Sequence, residues 1–154
     1  TPPPTSRPSC SGGSVYDDIL FPTDGSEASK ATFPHAVSQA RAFDARIHVL
    51  YVVDTTYAGV GAGGSKNVNS LRAEGEAVVA EFEERLLNEA VDVVPEIAEG
   101  DPFTQIKRYG DDGIDMIVMG TRGRSGVEKH LLGSVTEKIV RTADVPVFTV
   151  RTPE

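Results

Sequence analysis

Gly120-Thr-Arg122-Gly123 is followed, after nine intervening residues, by Gly133-Ser134-Val135-Thr136-Glu137. The apolar run Ile114 to Met119 before it reads as a buried strand, and Val135 to Ala143 after it reads as an amphipathic helix. A strand, a glycine-rich loop and a helix in this order can hold a phosphate. At Gly120 and Gly123 no Cβ keeps the backbone away from an anion. Ser134 and Glu137 fit an S-x-x-E capping box, which sets the helix start at Ser134. The first N–H groups of that helix lack intrahelical partners and carry the positive end of its dipole. Arg122 and Arg124 add cationic donors. One helix end contributes only roughly 0.3–1 kcal/mol, so phosphate binding needs several backbone donors and an arginine acting together. An ordinary strand–helix loop that binds nothing fits the same residues.

Such a loop needs a sheet to hold its ends. Val15 to Phe21 reads as strand one, broken by Pro22-Thr23-Asp24-Gly25-Ser26. Asp24 follows the carboxyl end of that strand, where open parallel sheets bind ligands. It also fits D-x-x-E with Glu27 as a helix cap, unless Ser26 is the cap. Ser26 to Phe43 reads as helix one, with Ala31, Val37, Ala40 and Phe43 apolar; Pro34 should kink it or delay its regular part. Ile47 to Val53 is apolar almost throughout, which suits a strand covered on both faces. Thr55 to Lys66 is expected to be a loop.

That loop contains Gly59-Val-Gly61-Ala-Gly-Gly64, a G-x-G-x-x-G match. The dinucleotide fingerprint needs its first glycine directly after a strand and an acidic residue ending the next one. Here five residues separate Val53 from Gly59, and Glu84 falls within an expected helix. The dinucleotide reading is rejected in favour of a mobile loop that can close over a ligand. Asn67 to Ala90 carries a helical stripe of Leu71, Val78, Phe82, Leu86 and Leu87, with Glu81 and Arg85 as an i,i+4 pair. Val91 to Ile97 is strand three, and Pro95 assigns it to an edge. Asp101 and Pro102 open helix three as cap and first residue; Phe103 and Ile106 face the core, and the helix ends near Gly110. Val147 to Val150 is the last strand.

At 154 residues the chain is long enough for one domain with a sizeable core. Residues 15–154 are expected to form it, with 1–14 a Pro/Ser/Thr-rich disordered tail or a cloning remnant. The net charge of −8 opposes binding to nucleic acid or anionic membranes. The single cysteine, Cys10, excludes a disulfide framework and a cysteine metal cluster. His35, His48 and His130 show no metal-ligand spacing. No apolar run is long enough to span a membrane, and no signal segment appears, so the expected location is the cytoplasm.

The spacing Gly120–Gly123–Gly133-Ser134 resembles the ATP-binding signature of the universal stress proteins. Asp18 to Glu27, Leu50 to Asp54, Asp115 to Gly120 and Asp144 to Val150 are similar to that family's first, second, fourth and fifth strands. The similarity covers about residues 15–151. It implies a nucleoside contact from Asp24 and an adenine contact from the backbone of Val52. It implies further contacts from Pro22, Thr23, Met119, Gly120, Arg122, Gly123, Gly133, Ser134, Val135 and Thr136. ATP is the implied ligand, with Mg²⁺ bound through its phosphates and no metal held by the protein. A homodimer through Val147 to Val150 is also implied.

Five strands alternating with four helices give an α/β fold: a doubly wound parallel sheet in a three-layer sandwich. A flavodoxin-like order of 3-2-1-4-5, in the class of the adenine nucleotide alpha hydrolase-like folds, puts the switch point between strands one and four. Asp24 and Gly120 would then share one crevice. The expectation is an ATP-binding stress-response regulator with at most slow hydrolysis. The alternative is a dimeric interaction domain that binds no nucleotide. A fast ATPase is disfavoured: no G-x-x-x-x-G-K-[ST] occurs, and no base stands beside the glycines unless Glu128 turns inward. A flavin carrier is disfavoured because the glycine signature follows strand four and the chain has no Trp.

Overall fold

The computed structural model describes residues 16–55, 68–121 and 134–151. Residues 1–14, the G-x-G-x-x-G match at 59–64, Arg122, Gly123, Arg124, Glu128 and Gly133 lie outside these spans. Five parallel strands, β1 (Asp18–Thr23), β2 (Arg46–Asp54), β3 (Val93–Gly100), β4 (Met116–Gly120) and β5 (Val147–Val150), form one sheet ordered β3-β2-β1-β4-β5. The expected topology holds.

Alternation along the strands divides the core in two. Ile19 and Phe21 of β1, Ile47, Val49, Tyr51 and Val53 of β2, and Met116 and Val118 of β4 face one side. Helices α1 (Glu27–Phe43) and α2 (Val68–Asn88) cover it with Phe33, Ala36, Ala40, Phe82 and Leu86. Leu20, Leu50, Ile117 and Met119 face the other side, where α3 (Pro102–Gly110) brings Ile106 and α4 (Ser134–Thr142) brings Ile139.

Several boundaries differ from the sequence reading. Pro22 does not break β1: it pairs with Leu50, and Thr23 with Tyr51. β3 starts two residues late, because Val91 completes the end of α2. Ala90 is left-handed (φ 61°), and the Val91 N–H returns to the Leu86 carbonyl at 3.0 Å. The strand then runs on to Gly100. α1 is continuous through Pro34. Its buried face holds Thr32 and Phe33 while Ala31 is exposed. Leu87 is 60% exposed rather than part of the α2 stripe. Arg85 lies over the Phe33 ring at 4.7 Å instead of pairing with Glu81.

Pro95 confirms β3 as an edge in a specific way. The Ile47 N–H donates to the Asp92 carbonyl at 2.9 Å. In the alternation of a parallel ladder, Val94, Glu96 and Ala98 then bond to β2, and Val93, Pro95 and Ile97 turn outward. The missing N–H of Pro95 falls on the free side, where it costs no ladder bond.

Candidate functional site

The site is built where β1 and β4 separate. Their amino ends are laced together by Asp115, whose carboxylate accepts the N–H of Asp17 at 2.9 Å and of Asp18 at 3.0 Å. The pairing extends only through Ile19↔Met116 and Leu20↔Ile117. On its other side, β1 pairs with β2 as far as Thr23.

Pro22 explains the early end. The Arg46 N–H donates to the Asp17 carbonyl at 3.0 Å. Ile19, Phe21 and Thr23 therefore bond toward β2, while Asp18, Leu20 and Pro22 face β4. Pro22 has no N–H to offer β4, and the ladder stops beside it. The carboxyl ends of these two adjacent strands, whose connections run in opposite directions, are the ligand position expected of open α/β sheets.

Gly120 is the last residue of β4. The N–H groups of Ile117 and Thr121 donate to the Pro146 and Val150 carbonyls, each at 3.0 Å. Met116, Val118 and Gly120 are therefore the β4 residues turned to β1. The Gly120 carbonyl accepts the Thr136 hydroxyl at 2.9 Å. That bond holds the first turn of α4 against the end of β4. Ser134 is the first residue inside α4, and the Glu137 carboxylate pairs forward with Arg141 at 2.5 Å. Among the described residues no reciprocal capping box joins Ser134 and Glu137.

The turn after β1 is closely wired. Asp24 Oδ1 accepts the Ser26 N–H at 2.9 Å, and Ser26 Oγ accepts the Ser29 N–H at 3.1 Å. Of the two caps the sequence offers for α1, Ser26 is the one used; the Asp24 carboxylate closes the turn before it. The Thr23 hydroxyl pairs with the Ser29 hydroxyl and accepts the Gly25 N–H at 3.1 Å. Thr23 is thus turned to α1, with its backbone paired to β2.

Val52, Met119 and Val135 come from three different elements and join one apolar cluster on the α3/α4 side. Ala98 and Phe103 pack against the same cluster, and Ala98 stands beside Val52 in the β2–β3 register. Sequence reasoning missed Ala98 because it lies past the expected end of strand three; alternation from Val94 would have found it. Of the polar candidates, the described contacts join Gly120 and Thr136, while the Asp24 carboxylate is held in its own turn by the Ser26 N–H. Among the described residues no group of three or more His, Cys, Asp or Glu side chains is arranged to hold a metal. A concavity of about 380 Å³ lies between α2 and β3 and is lined by residues including Arg72, Glu76, Glu83, Pro95 and Glu96. It is open and rich in carboxylates, and so unsuited to an anionic ligand.

The sequence profile described as "Universal stress protein family" matches residues 16–151. The chain belongs to the universal stress protein family. A universal stress protein of Methanocaldococcus jannaschii, MJ0531, is 36% identical over 147 residues, covering 93% of this chain and 86% of the relative. The solved structure of hypothetical protein MJ0577 superposes with a TM-score of 0.82 at 27% identity, covering 92% of this chain and 99% of that one. A universal stress protein in complex with cAMP has a TM-score of 0.70 at 23% identity, covering 91% of this chain and 100% of that one. Family structures with dAMP, from Archaeoglobus fulgidus, and with AMP, from Arabidopsis thaliana, share the fold at TM-scores of 0.67 and 0.64 and identities of 18% and 20%. They cover 88% and 89% of this chain, and 98% and 92% of their own. No described helix is long and apolar enough to cross a membrane.

Proposed function

We propose that this universal stress protein binds ATP in the β1/β4 crevice, with Mg²⁺ carried on the phosphates, and acts as a regulator in a stress response. The observation that carries the reading is the end of β1–β4 pairing beside Pro22, with the first turn of α4 tied to the end of β4 by the Thr136–Gly120 bond. The base lies against Val52 and Met119, and Asp24 takes the ribose. The phosphates meet Gly120, Arg122, Gly123, Gly133 and the N–H groups of Ser134, Val135 and Thr136. Adenine nucleotides in more distant structures of the fold support the ligand class.

The groups available support regulation rather than rapid catalysis. The signature carries no P-loop lysine, and no metal-binding carboxylate cluster occurs among the described residues. Sustained hydrolysis faster than about 1 per second contradicts this reading. Residues 15–154 work as one unit in the cytoplasm. The unit pairs with a second copy through β5, whose four residues hold neither proline nor charge, with Phe148 37% exposed.

Calorimetric titration of ATP into nucleotide-stripped protein, with and without Mg²⁺, tests the proposal. Binding in the micromolar range that disappears in Gly123→Val supports it. No heat and no thermal shift would transfer the reading to a dimeric interaction domain.

A further inference from the structure

The Gly120 carbonyl is one of the β4 groups turned toward β1, and β1 offers it no ladder partner beyond Leu20. It therefore points at the mouth of the crevice. A bare carbonyl there would present the negative end of its dipole to an incoming phosphate. The Thr136 hydroxyl covers it at 2.9 Å, from a side chain only 5% exposed. A threonine hydroxyl has one proton to donate. With that proton on Gly120, the side chain has none to give to a phosphate oxygen.

We infer that Thr136 is a positioning residue of the phosphate site, acting through Gly120 rather than through its own hydroxyl. It cancels a repulsive carbonyl and fixes the first-turn N–H groups of α4 relative to the end of β4. The contact also joins the two roots of the glycine signature, since Gly120 ends the strand before it and Thr136 stands in the helix after it. On the opposite flank the Thr121 N–H bonds to the Val150 carbonyl at 3.0 Å, so the β4 root is pinned from two directions. The inference rests on the nucleotide reading and specifies how its phosphate end is set.

The test compares wild type, Thr136→Val and Thr136→Ser in the full chain. ATP, AMP and adenosine are titrated calorimetrically, and backbone amide exchange is followed without nucleotide. The valine keeps the shape and removes the proton; the serine keeps the proton. The expected result is an ATP affinity about ten-fold weaker in Thr136→Val, the size of one buried hydrogen bond. AMP should lose less, adenosine nothing, and Thr136→Ser should bind like wild type. Exchange at Thr121, bonded to Val150, and at Lys138, the first described donor inside α4, should quicken in nucleotide-free Thr136→Val. An equal loss for all three ligands would make Thr136 a fold residue only. A graded loss with unchanged exchange would mean that the hydroxyl touches the ligand itself. Unchanged affinity in Thr136→Val would overturn this inference alone, whereas a wild type that binds none of the three removes the nucleotide reading and this inference with it.

Discussion

The ring of Tyr51 fills the space that a side chain at Gly75 would need: a Cβ there would come within 2.5 Å of Tyr51 Cδ1 and 2.7 Å of Cε1. Tyr51 is 4% exposed and sits in the packed layer between β2 and α2, so its ring has no open side to turn to. Alanine in a helix interior is ordinarily favoured over glycine by about 1 kcal/mol. Here overpacking, at about 1–3 kcal/mol, outweighs that gain. Gly75→Ala should lower the urea midpoint, and Tyr51→Leu in the same background should return part of the loss. A raised midpoint in the single variant would show that the ring yields freely.

His48 bridges two elements at the opposite end of the sheet from the crevice. Its Nε2 lies 2.9 Å from Asp18 Oδ1 and its Nδ1 2.7 Å from the Tyr109 hydroxyl. A carboxylate only accepts, so Nε2 carries the ring proton and Tyr109 donates to Nδ1. Burial, then the charges of Glu96, Asp18 and Asp112, push the Tyr109 hydroxyl from the ordinary 10.0 up to about 12. The folded state thus resists forming the phenolate. The stabilisation is complete below pH 10, where an unfolded tyrosine is also protonated, and is lost as pH rises from 10 through 12. Tyr109→Phe should cost about 1 kcal/mol at neutral pH and flatten the alkaline fall. Chemical denaturation across that pH range, alongside phenolate absorbance, reads both; equal alkaline slopes in the two proteins would exclude Tyr109 as the source.

The sheet order was legible in part because two of its signals are local. Pro95 argues for an edge because a proline withholds a ladder N–H, and the apolar run from Ile47 to Val53 needs cover on both faces; the rest of the order comes from the flavodoxin-like class. Strand order alone sets the ends of β1 and β4, and with them Asp24 and Gly120, on the same edge of the sheet at its switch point. The phase of α1 was not legible. Thr32 counts as polar in a pattern, yet it is buried, with its hydroxyl turned back to the Ala28 carbonyl at 2.8 Å. Arg85 reads as half of a surface ion pair, but the aromatic layer of Phe33 and Phe82 gives it a better seat. The bridge at His48 joins residues 30 and 61 positions away, a distance no local pattern spans. The role of Pro22 depends on which neighbour its missing N–H would have met, and only the register shows that.

That register makes Pro22 a lever on the crevice. Pro22→Ala returns an N–H directed at β4, beside Val118, and lets the ladder continue past Leu20. The added bond favours a closed mouth. The variant should keep or raise its melting temperature while nucleotide affinity falls about five-fold, as expected for a bond worth about 1 kcal/mol. Calorimetric titration and a thermal melt of the same sample separate the two effects. A fall in both together would mean that the ring acts by packing rather than by what it withholds.

The two sheet edges differ in what they offer a second copy, and the difference can be tested one N–H at a time. In β5, Phe148 and Val150 bond back to β4, as the 3.0 Å contacts flanking them require. The N–H groups of Val147 and Thr149 therefore point outward. Thr149→Pro removes an outward donor and leaves the β4 ladder intact. In β3 the outward donors are already interrupted by Pro95. If copies pair through β5, Thr149→Pro should convert a dimer to a monomer in sedimentation velocity, with little change in melting temperature at high dilution. Ile97→Pro, the matching change on the other edge, should leave the assembly as it was. A Thr149→Pro protein that stays dimeric would clear β5 of this role, and loss of the dimer in Ile97→Pro would assign it to β3 despite its proline.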